Sequence, residues 1–266
     1  MEQPKISIIT VCLNSAKTIK DTIESVLAQT YTNYEYIIAD GLSVDNTIDI
    51  IDSYIPQFEG KLTYYQRKDT GMYNAINDAI RKCQGDVIGI LNSDDFYDKH
   101  TLEYVANEWV KHDDKKIVIV GDMVRVSRAN EIIHRYHFTQ SMIDRKCCFG
   151  HPAMFAGSEV YRSIGLYDES FRWAADGEWQ YRAHDSADIK WVLCPVVFNN
   201  MREGGASDNI KYIKQWFKER VRMKRMHNKG TLFHIYLQES ISVMRTILKN
   251  SIPKVLVKYI YRVRYR

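Results

Sequence analysis

Val87-Ile88-Gly89-Ile90-Leu91-Asn92-Ser93-Asp94-Asp95 is the stretch that decides the fold. An apolar, β-favouring run of strand length breaks off into polar residues and two adjacent carboxylates. This pattern predicts a buried parallel strand that delivers acids to its C-terminal edge. In an open α/β sheet that edge is where ligands bind. Neighbouring carboxylates repel unless a cation lies between them, and the usual guest is a hard divalent ion already carrying a substrate phosphate. Taken alone, Asn92-Ser93-Asp94-Asp95 also fits a turn followed by a helix N-cap.

Upstream, the same arrangement recurs. Ile6 to Leu13 reads as a strand, followed by Asn14-Ser15 as N-cap of a helix presenting Ile19, Ile23, Val26 and Leu27 on one face. Tyr34 to Ala39 is a second strand, and the polar loop Asp40 to Thr47 caps a helix with Ile48, Ile51 and Ile55 inward. Leu62 to Gln66 is a third. Gly71 opens a helix carrying Met72, Ile76, Ala79, Ile80 and Cys83, with Gly85 as its left-handed stop. Strands alternating with helices predict βαβ units and a mostly parallel sheet. Right-handed crossovers bring four polar strand ends to one edge: Thr10 and Asn14; Asp40, Ser43 and Asp45; Lys68 and Asp69; Asp94 and Asp95. Capping chemistry explains any one of these loops, but their joint acidity is costly without a cation and a ligand.

The 266 residues, 45% of them apolar, suit one α/β domain with an appendage. A net charge of +4 hides a split, because residues 211 to 266 hold 15 Lys and Arg against two acids, Glu219 and Glu239. Residues 1 to 210 hold 22 basic and 31 acidic side chains. An acidic body with a basic tail suggests two jobs, one of them contact with an anionic partner. Cys12, Cys83, Cys147, Cys148 and Cys194 contain no Cys-x-x-Cys and fit a reducing compartment. The N-terminus lacks a basic n-region and no apolar run reaches spanning length, so the expectation is a cytoplasmic protein without signal peptide or membrane span.

Several separated stretches then carry a resemblance: Ile8 to Asn14, Gln29-Thr30-Tyr31, Ile38 to Thr47, Asp69 to Asn77 and Leu91 to Asp95. In this order they resemble the family 2 glycosyltransferases, over roughly residues 5 to 205. The resemblance implies a GT-A (nucleotide-diphospho-sugar transferase) fold, an α/β architecture whose mostly parallel Rossmann-like sheet is flanked by helices. Here it would span 1–209, with 1–98 as nucleotide-binding half and 99–209 as acceptor half, followed by a helical basic extension at 210–266. It also implies site residues. Thr10 would border the nucleotide base and Asp40 would bond the base or ribose, as an acceptor-only carboxylate suits a uracil imide N–H. Asn14, Ser43 and Asp45 would belong to the same pocket. Lys68, Asp69, Gly71, Met72 and Asn77 would lie where the family closes over nucleotide and donor sugar. Asn92 to Asp95 resembles the family's Asp-x-Asp element, with Asp95 as direct ligand of Mn²⁺ or Mg²⁺ and Asp94 nearer the ribose or sugar. Ser93 or Asn92 stands in place of the usual first aspartate, which leaves the ligand count open.

The second half should shape the acceptor site. Thr101 to His112 reads as a helix, Ile117 to Gly121 as a strand, and Met123 to Val126 with Ile132 to His137 as a hairpin. His151 reads as a structural histidine, with an acceptor or diphosphate contact as the alternative. Trp173 to Arg182 is the second chemical focus. Asp176, between small residues at a helix start and flanked by Trp173 and Trp179, is placed where aromatic faces pack on a sugar and burial raises its pKa toward that of a working base. The family carries its general base here, which implies that role for Asp176, with Glu178 as fallback; a plain N-cap aspartate is the structural alternative. Arg202 begins a Gly204-Gly205 loop that either closes on the diphosphate or is ordinary surface.

From Ile210 onward, basic helices over 210–227, 232–248 and 252–263 interleave cations with aromatics, a composition suited to an anionic membrane surface. Alternatively, their apolar faces pack on the body. The expected partners are therefore a nucleotide sugar, UDP-linked by resemblance with GDP and dTDP as alternatives, and a saccharide or lipid-linked acceptor, at the inner face of the cell membrane. Nucleic acid is not expected, since no recognised binding motif is present and the acidic body repels phosphate. A sugar-phosphate nucleotidylyltransferase and a non-enzymatic basic binding protein are the competing classes.

Overall fold

The computed structural model describes residues 3–205 and 210–251. Its first half alternates β1 (Ile6–Cys12), α1 (Ile19–Leu27), β2 (Tyr34–Asp40), α2 (Thr47–Tyr54), β3 (Leu62–Gln66), α3 (Met72–Lys82) and β4 (Val87–Ile90). The second half is mixed: β5 (Phe96–Tyr97), α4 (Thr101–Trp109), β6 (Ile117–Val126), β7 (Ile132–Tyr136), α5 (Gln140–Asp144), β8 (Met154–Gly157), α6 (Ser158–Ile164), α7 (Ala175–Asp185) and β9 (Lys190–Arg202). The chain continues into α8 (Ile213–Met226) and α9 (Leu232–Ser251).

All the strands share one sheet, ordered β3-β2-β1-β4-β8-β6-β9-β5, with β7 against β6. The predicted parallel pairing holds from β3 to β4. Antiparallel pairing enters at β8, which lies between β4 and β6, while β6 and β9 run parallel. All residues of β4, β6 and β8 are buried. Helices cover both faces of such a sheet, so β1 and β4 read as continuous Ile- and Val-rich runs and not as alternations. Each buried Ile or Val side chain contributes about 1.5–3 kcal/mol.

Local readings differ at Asn14-Ser15 and at Gly85, and the strand read over 117–121 runs on as one with the arm read over 123–126. Asn14-Ser15 does not cap α1; Thr18 occupies that position, and Asn14 takes a left-handed conformation (φ 52°) instead. Gly85 is not a left-handed stop either. The chain leaves α3 through an extended Cys83, and Gly85 is required because a Cβ would lie 2.5 Å from Ser7 Oγ and 2.7 Å from its backbone nitrogen. The helix read over 252–263 and residues Ala206 and Ser207 lie outside the described residues. Of the two tail helices described, α8 packs along the body and α9 packs on α8.

Candidate active site

β1, β2 and β4 end together, and their loops are tied to one another. Gly41 N donates to Cys12 O at 2.8 Å. Asn14 N donates to Ser43 Oγ at 2.8 Å, and Val44 N returns a bond to Asn14 Oδ1 at 2.9 Å. Ser15 Oγ and Ser93 Oγ lie 2.9 Å apart, joining the loops after β1 and β4. Two non-glycine residues here, Asn14 and Leu42 (φ 68°), hold positive φ. Such backbone costs on the order of 1 kcal/mol or more per residue and persists only where surrounding bonds over-determine it.

These ties redistribute the expected roles. Thr10 is fully buried and accepts a bond from Tyr36 OH at 3.0 Å, so it lies beneath the sheet edge. Asp40 is buried and turned inward. Its carboxylate accepts from Ser43 N at 2.8 Å, Gln66 Nε2 at 3.0 Å, Ser43 Oγ and Cys12 Sγ. In this structure its acceptor capacity is used in bracing the loop. Asp45 likewise accepts from Thr47 and from Ala16 N. The hydroxyl of Thr47, foremost, holds the Asp45 carboxyl below its ordinary pKa. Asn77 is buried and bonded to Tyr167 N and O and to Glu169, so it fastens α3 to the segment after α6. Asp69 remains at the edge of the cleft, accepting from Gly71 N, with Gly41 so close that a Cβ there would lie 3.0 Å from Asp69 Oδ2. Lys68 is exposed and Met72 half-buried beside it.

At the end of β4 the acid expected to hold the metal is the buried one of the pair. Asp95 is 1% exposed and accepts from Arg202 N at 2.9 Å and Asn92 Nδ2 at 3.0 Å. Burial first, and then the charge of adjacent Asp94, push its carboxyl up. Asp94 is the half-exposed one. It sits under the 203–205 loop, where a Cβ on Gly205 would lie 2.7 Å from its Oδ2. Arg202 does not reach into the cleft. It ends β9 as a buried residue, bonding Asp21 at 2.6 Å and Asn130 at 3.0 Å.

Asp176 sits in the first turn of α7 and faces this strand end. Tyr73 OH donates to its Oδ1 at 3.0 Å, and His151 Nδ1 lies 3.3 Å from its Oδ2. The other His151 nitrogen is 3.0 Å from Asn92 Oδ1. A continuous polar chain Asp95–Asn92–His151–Asp176 thus joins the two acidic centres. Desolvation works to raise the Asp176 pKa, but the hydrogen bond and charge of His151 and the bond from Tyr73 outweigh it. The net shift is downward, opposite to the rise expected from burial.

The flanking residues divide. Trp179 is fully buried, stacked among Tyr161 and Tyr167 with Nε1 bonded to Gly165 O, and belongs to the core. Glu178 is buried and clamped by Arg182 and His227, so it has no access to a substrate. Trp173 packs on Tyr212 at 4.6 Å and donates to Gln215. Sequence reasoning missed Tyr73, whose signal was its place on the buried face of α3 with Ile76 and Ile80.

The donor set was tested for a divalent ion. Among the described residues no group of three or more His, Cys, Asp and Glu side chains forms a ready cage. The raised Asp95 beside Asp94 marks an acid pair that a cation would relieve. One outward carboxylate completed by substrate phosphates is a donor set that Mg²⁺ and its relatives accept. The residues fit such an ion, which Asp94 would hold together with the substrate phosphates.

Comparisons with known proteins agree with this geometry. The model of "Glycosyl transferase family 2" matches residues 7–163, more than half of the chain. A PGL/p-HBAD biosynthesis glycosyltransferase of Mycobacterium bovis is 27% identical over 219 residues, 82% of this chain and 84% of its own. An uncharacterized glycosyltransferase of Mycobacterium tuberculosis is 30% identical over 198 residues, covering 72% and 74%. Staphylococcus aureus TarS 1-349, solved with UDP-GlcNAc, superposes with a TM-score of 0.68 at 19% identity, over 90% of this chain and 73% of its own. The mannosyltransferase PcManGT of Pyrobaculum calidifontis, solved with GDP-Man and Mn²⁺, gives 0.61 at 15% identity, over 100% and 77%. The family match decides against a nucleotidylyltransferase or a non-enzymatic binding protein, and the sheet agrees with it: the chain is a glycosyltransferase of family 2, with the GT-A fold.

Proposed function

We propose that this enzyme moves a sugar, with inversion, from a nucleotide-diphosphate sugar to a hydroxyl of a saccharide or lipid-linked saccharide acceptor, in the building of a surface polysaccharide. The observation that carries the reading is the pair of acidic centres facing one cleft, Asp94 at the end of β4 and Asp176 at the start of α7, linked through Asn92 and His151. UDP is favoured as the nucleotide because TarS is solved with UDP-GlcNAc, and GDP is the alternative because PcManGT is solved with GDP-Man.

The nucleotide lies along the loops after β1, β2 and β3, bordered by Asn14, Asp69, Gly71 and Met72. Asp94 faces the diphosphate, while Asp95, anchored to Arg202 N, holds the turn beneath it. Asp94 would hold a divalent cation, Mn²⁺ or Mg²⁺, which when bound would supply neutralisation of the charge that grows on the departing diphosphate. Asp176 accepts the proton of the acceptor hydroxyl. Tyr73 and His151 fix its carboxylate and keep it ionised. The acceptor oxygen attacks the anomeric carbon from the side opposite the nucleotide, so an α-linked donor yields a β-linked product.

The tail supports a second element of the reading, seating on an anionic membrane at the inner face of the cell. No helix among the described residues is long and apolar enough to cross a membrane. α8 exposes Lys214, Lys218, Arg222 and Arg225 along one side. α9 exposes Phe233 (79%), Leu237 and Met244, and a groove lined by Phe217, Lys218, Val221, Arg225 and Tyr236 joins the two sets. Each cation close to an anionic surface contributes about 1 kcal/mol.

The test of the function is calorimetric titration with UDP, GDP and dTDP, with and without Mn²⁺, on the native protein and on Asp94→Ala. Metal-dependent binding of one nucleotide, lost in the variant, is expected. Absence of binding by all three would overturn the reading. For the tail, flotation with phosphatidylglycerol vesicles, compared with phosphatidylcholine, is expected to depend on Lys214, Lys218 and Arg225.

A further inference from the structure

One side of α8 runs along the segment that delivers Asp176. Gln215 Oε1 accepts from Trp173 Nε1 at 3.2 Å. One turn on, Glu219 accepts from three consecutive backbone amides: Arg172 at 3.0 Å, Trp173 at 2.7 Å and Ala174 at 3.2 Å. Met223 packs against Gly177 so closely that a Cβ there would lie 2.9 Å from its sulfur. His227, just past the helix, reaches Glu178 at 3.3 Å and Asp185 at 3.5 Å. Residues 215, 219, 223 and 227 share one face by their spacing of four.

The Glu219 contact stands out chemically. Ala174 is the N-cap of α7, and no side chain of its own caps that helix. The amides of 172–174 lead directly into the first turn, and one carboxylate from another helix collects all three. Charge-assisted bonds to backbone N–H are about twice as strong as neutral ones, and here they fix the chain two residues before Asp176. An acid is also rare in this part of the molecule, where Glu219 and Glu239 stand against 15 cations.

We infer that Glu219 is a positioning residue for the transfer reaction: through the amides of residues 172–174 the C-terminal extension sets the place of Asp176 against His151 and Tyr73. α8 is accordingly part of the catalytic architecture. The inference rests on the reading of Asp176 as the general base.

The experiment uses the full chain with Glu219→Gln, which keeps the shape and one acceptor oxygen, beside Glu219→Ala and Asp176→Asn. The first readout is amide hydrogen exchange. Faster exchange confined to residues 170–179 is expected in both Glu219 variants. Unchanged exchange there, or acceleration spread over the whole molecule, overturns the inference whatever the activity. The second readout is UDP release from UDP-glucose, UDP-galactose and UDP-N-acetylglucosamine in the presence of Mn²⁺, using the donor hydrolysed fastest. For Glu219→Gln, kcat is expected to fall about tenfold to a hundredfold, the scale on which a displaced group slows chemistry, with KM unchanged and Glu219→Ala lower still. Equal loss of kcat and rise of KM, or full activity, overturns it. If Asp176→Asn retains full activity, the base assignment fails instead, and the two failures are distinguished.

Discussion

His151 places its Nδ1 3.3 Å from Asp176 Oδ2 while its Nε2 stands 3.0 Å from Asn92 Oδ1. The Asn92 amide is oriented by its own bond to Asp95, which takes the Nδ2 side. Both ring nitrogens therefore face oxygen atoms, and the imidazole bridges the turn after β4 to the first turn of α7. Its contact with the Asp176 carboxyl works against desolvation and lowers the pKa of that acid.

Replacing His151 by Asn should move the acid limb of the pH–kcat profile to higher pH. The sign follows from the causes: His151 is the chief group lowering the Asp176 pKa against desolvation, so its removal raises that pKa. Asp176 is active only when ionised, so activity is then lost at a higher pH as the solution is acidified. A limb that stays in place would separate His151 from the base.

Asp176→Asn should lower kcat by about 10²–10⁴-fold, the usual contribution of a positioned general base. Its effect on nucleotide affinity should be small, because Asp176 bonds Tyr73 and His151 and not the strand-end loops. Steady-state UDP release and calorimetry of UDP binding on the same sample check both halves.

Trp179→Ala should destabilise by about 3–5 kcal/mol, the cost of emptying a large core site, since the ring is fully buried among Tyr161 and Tyr167. Urea unfolding reads this directly. Trp179→Phe, which keeps most of the packing, should leave KM for the donor and acceptor unchanged, as a side chain without access to the cleft requires.

Glu178→Gln should also act on stability. The carboxylate is buried against Arg182 and His227, and removing one partner of a buried pair costs about 3–5 kcal/mol. Thermal unfolding should shift down while kcat per folded molecule persists. A loss of kcat without loss of stability would reinstate Glu178 as a reacting group.

The parallel half of the fold was readable because doubly covered strands such as Val87–Ile90 are continuous apolar runs with polar ends. What the pattern did not carry was direction within the polar ends. Asp94 and Asp95 are adjacent acids, and which one turns inward depends on a bond from Arg202, 107 residues away. Asp40 reads as a ligand acid, and its inward bonds from Gln66 and Cys12 were illegible for the same reason. Trp179 is ambiguous in sequence because α7 is buried on most of its surface, leaving no amphipathic pattern to say which aromatic faces water. In the tail the informative signal lay in the scarce acids: Glu219 meets the amides before α7, and Glu239, buried, pairs with Arg220 and Lys224.

The reversal of direction at β8 has a consequence for how this enzyme type can diversify. Because β8 runs opposite to β4, the beginning of one lies beside the finish of the other, and His151, three residues before β8, reaches Asn92 without any long excursion of the chain. The last residues entering β8 are thereby moored to the end of β4, while the upstream side, around α5, is fastened separately, through Phe138 to Asp122 and Phe149 to Gln180. Under the proposed reading, a change in that entry alters the acceptor side while the Asn92–His151 link holds the β4 edge in place.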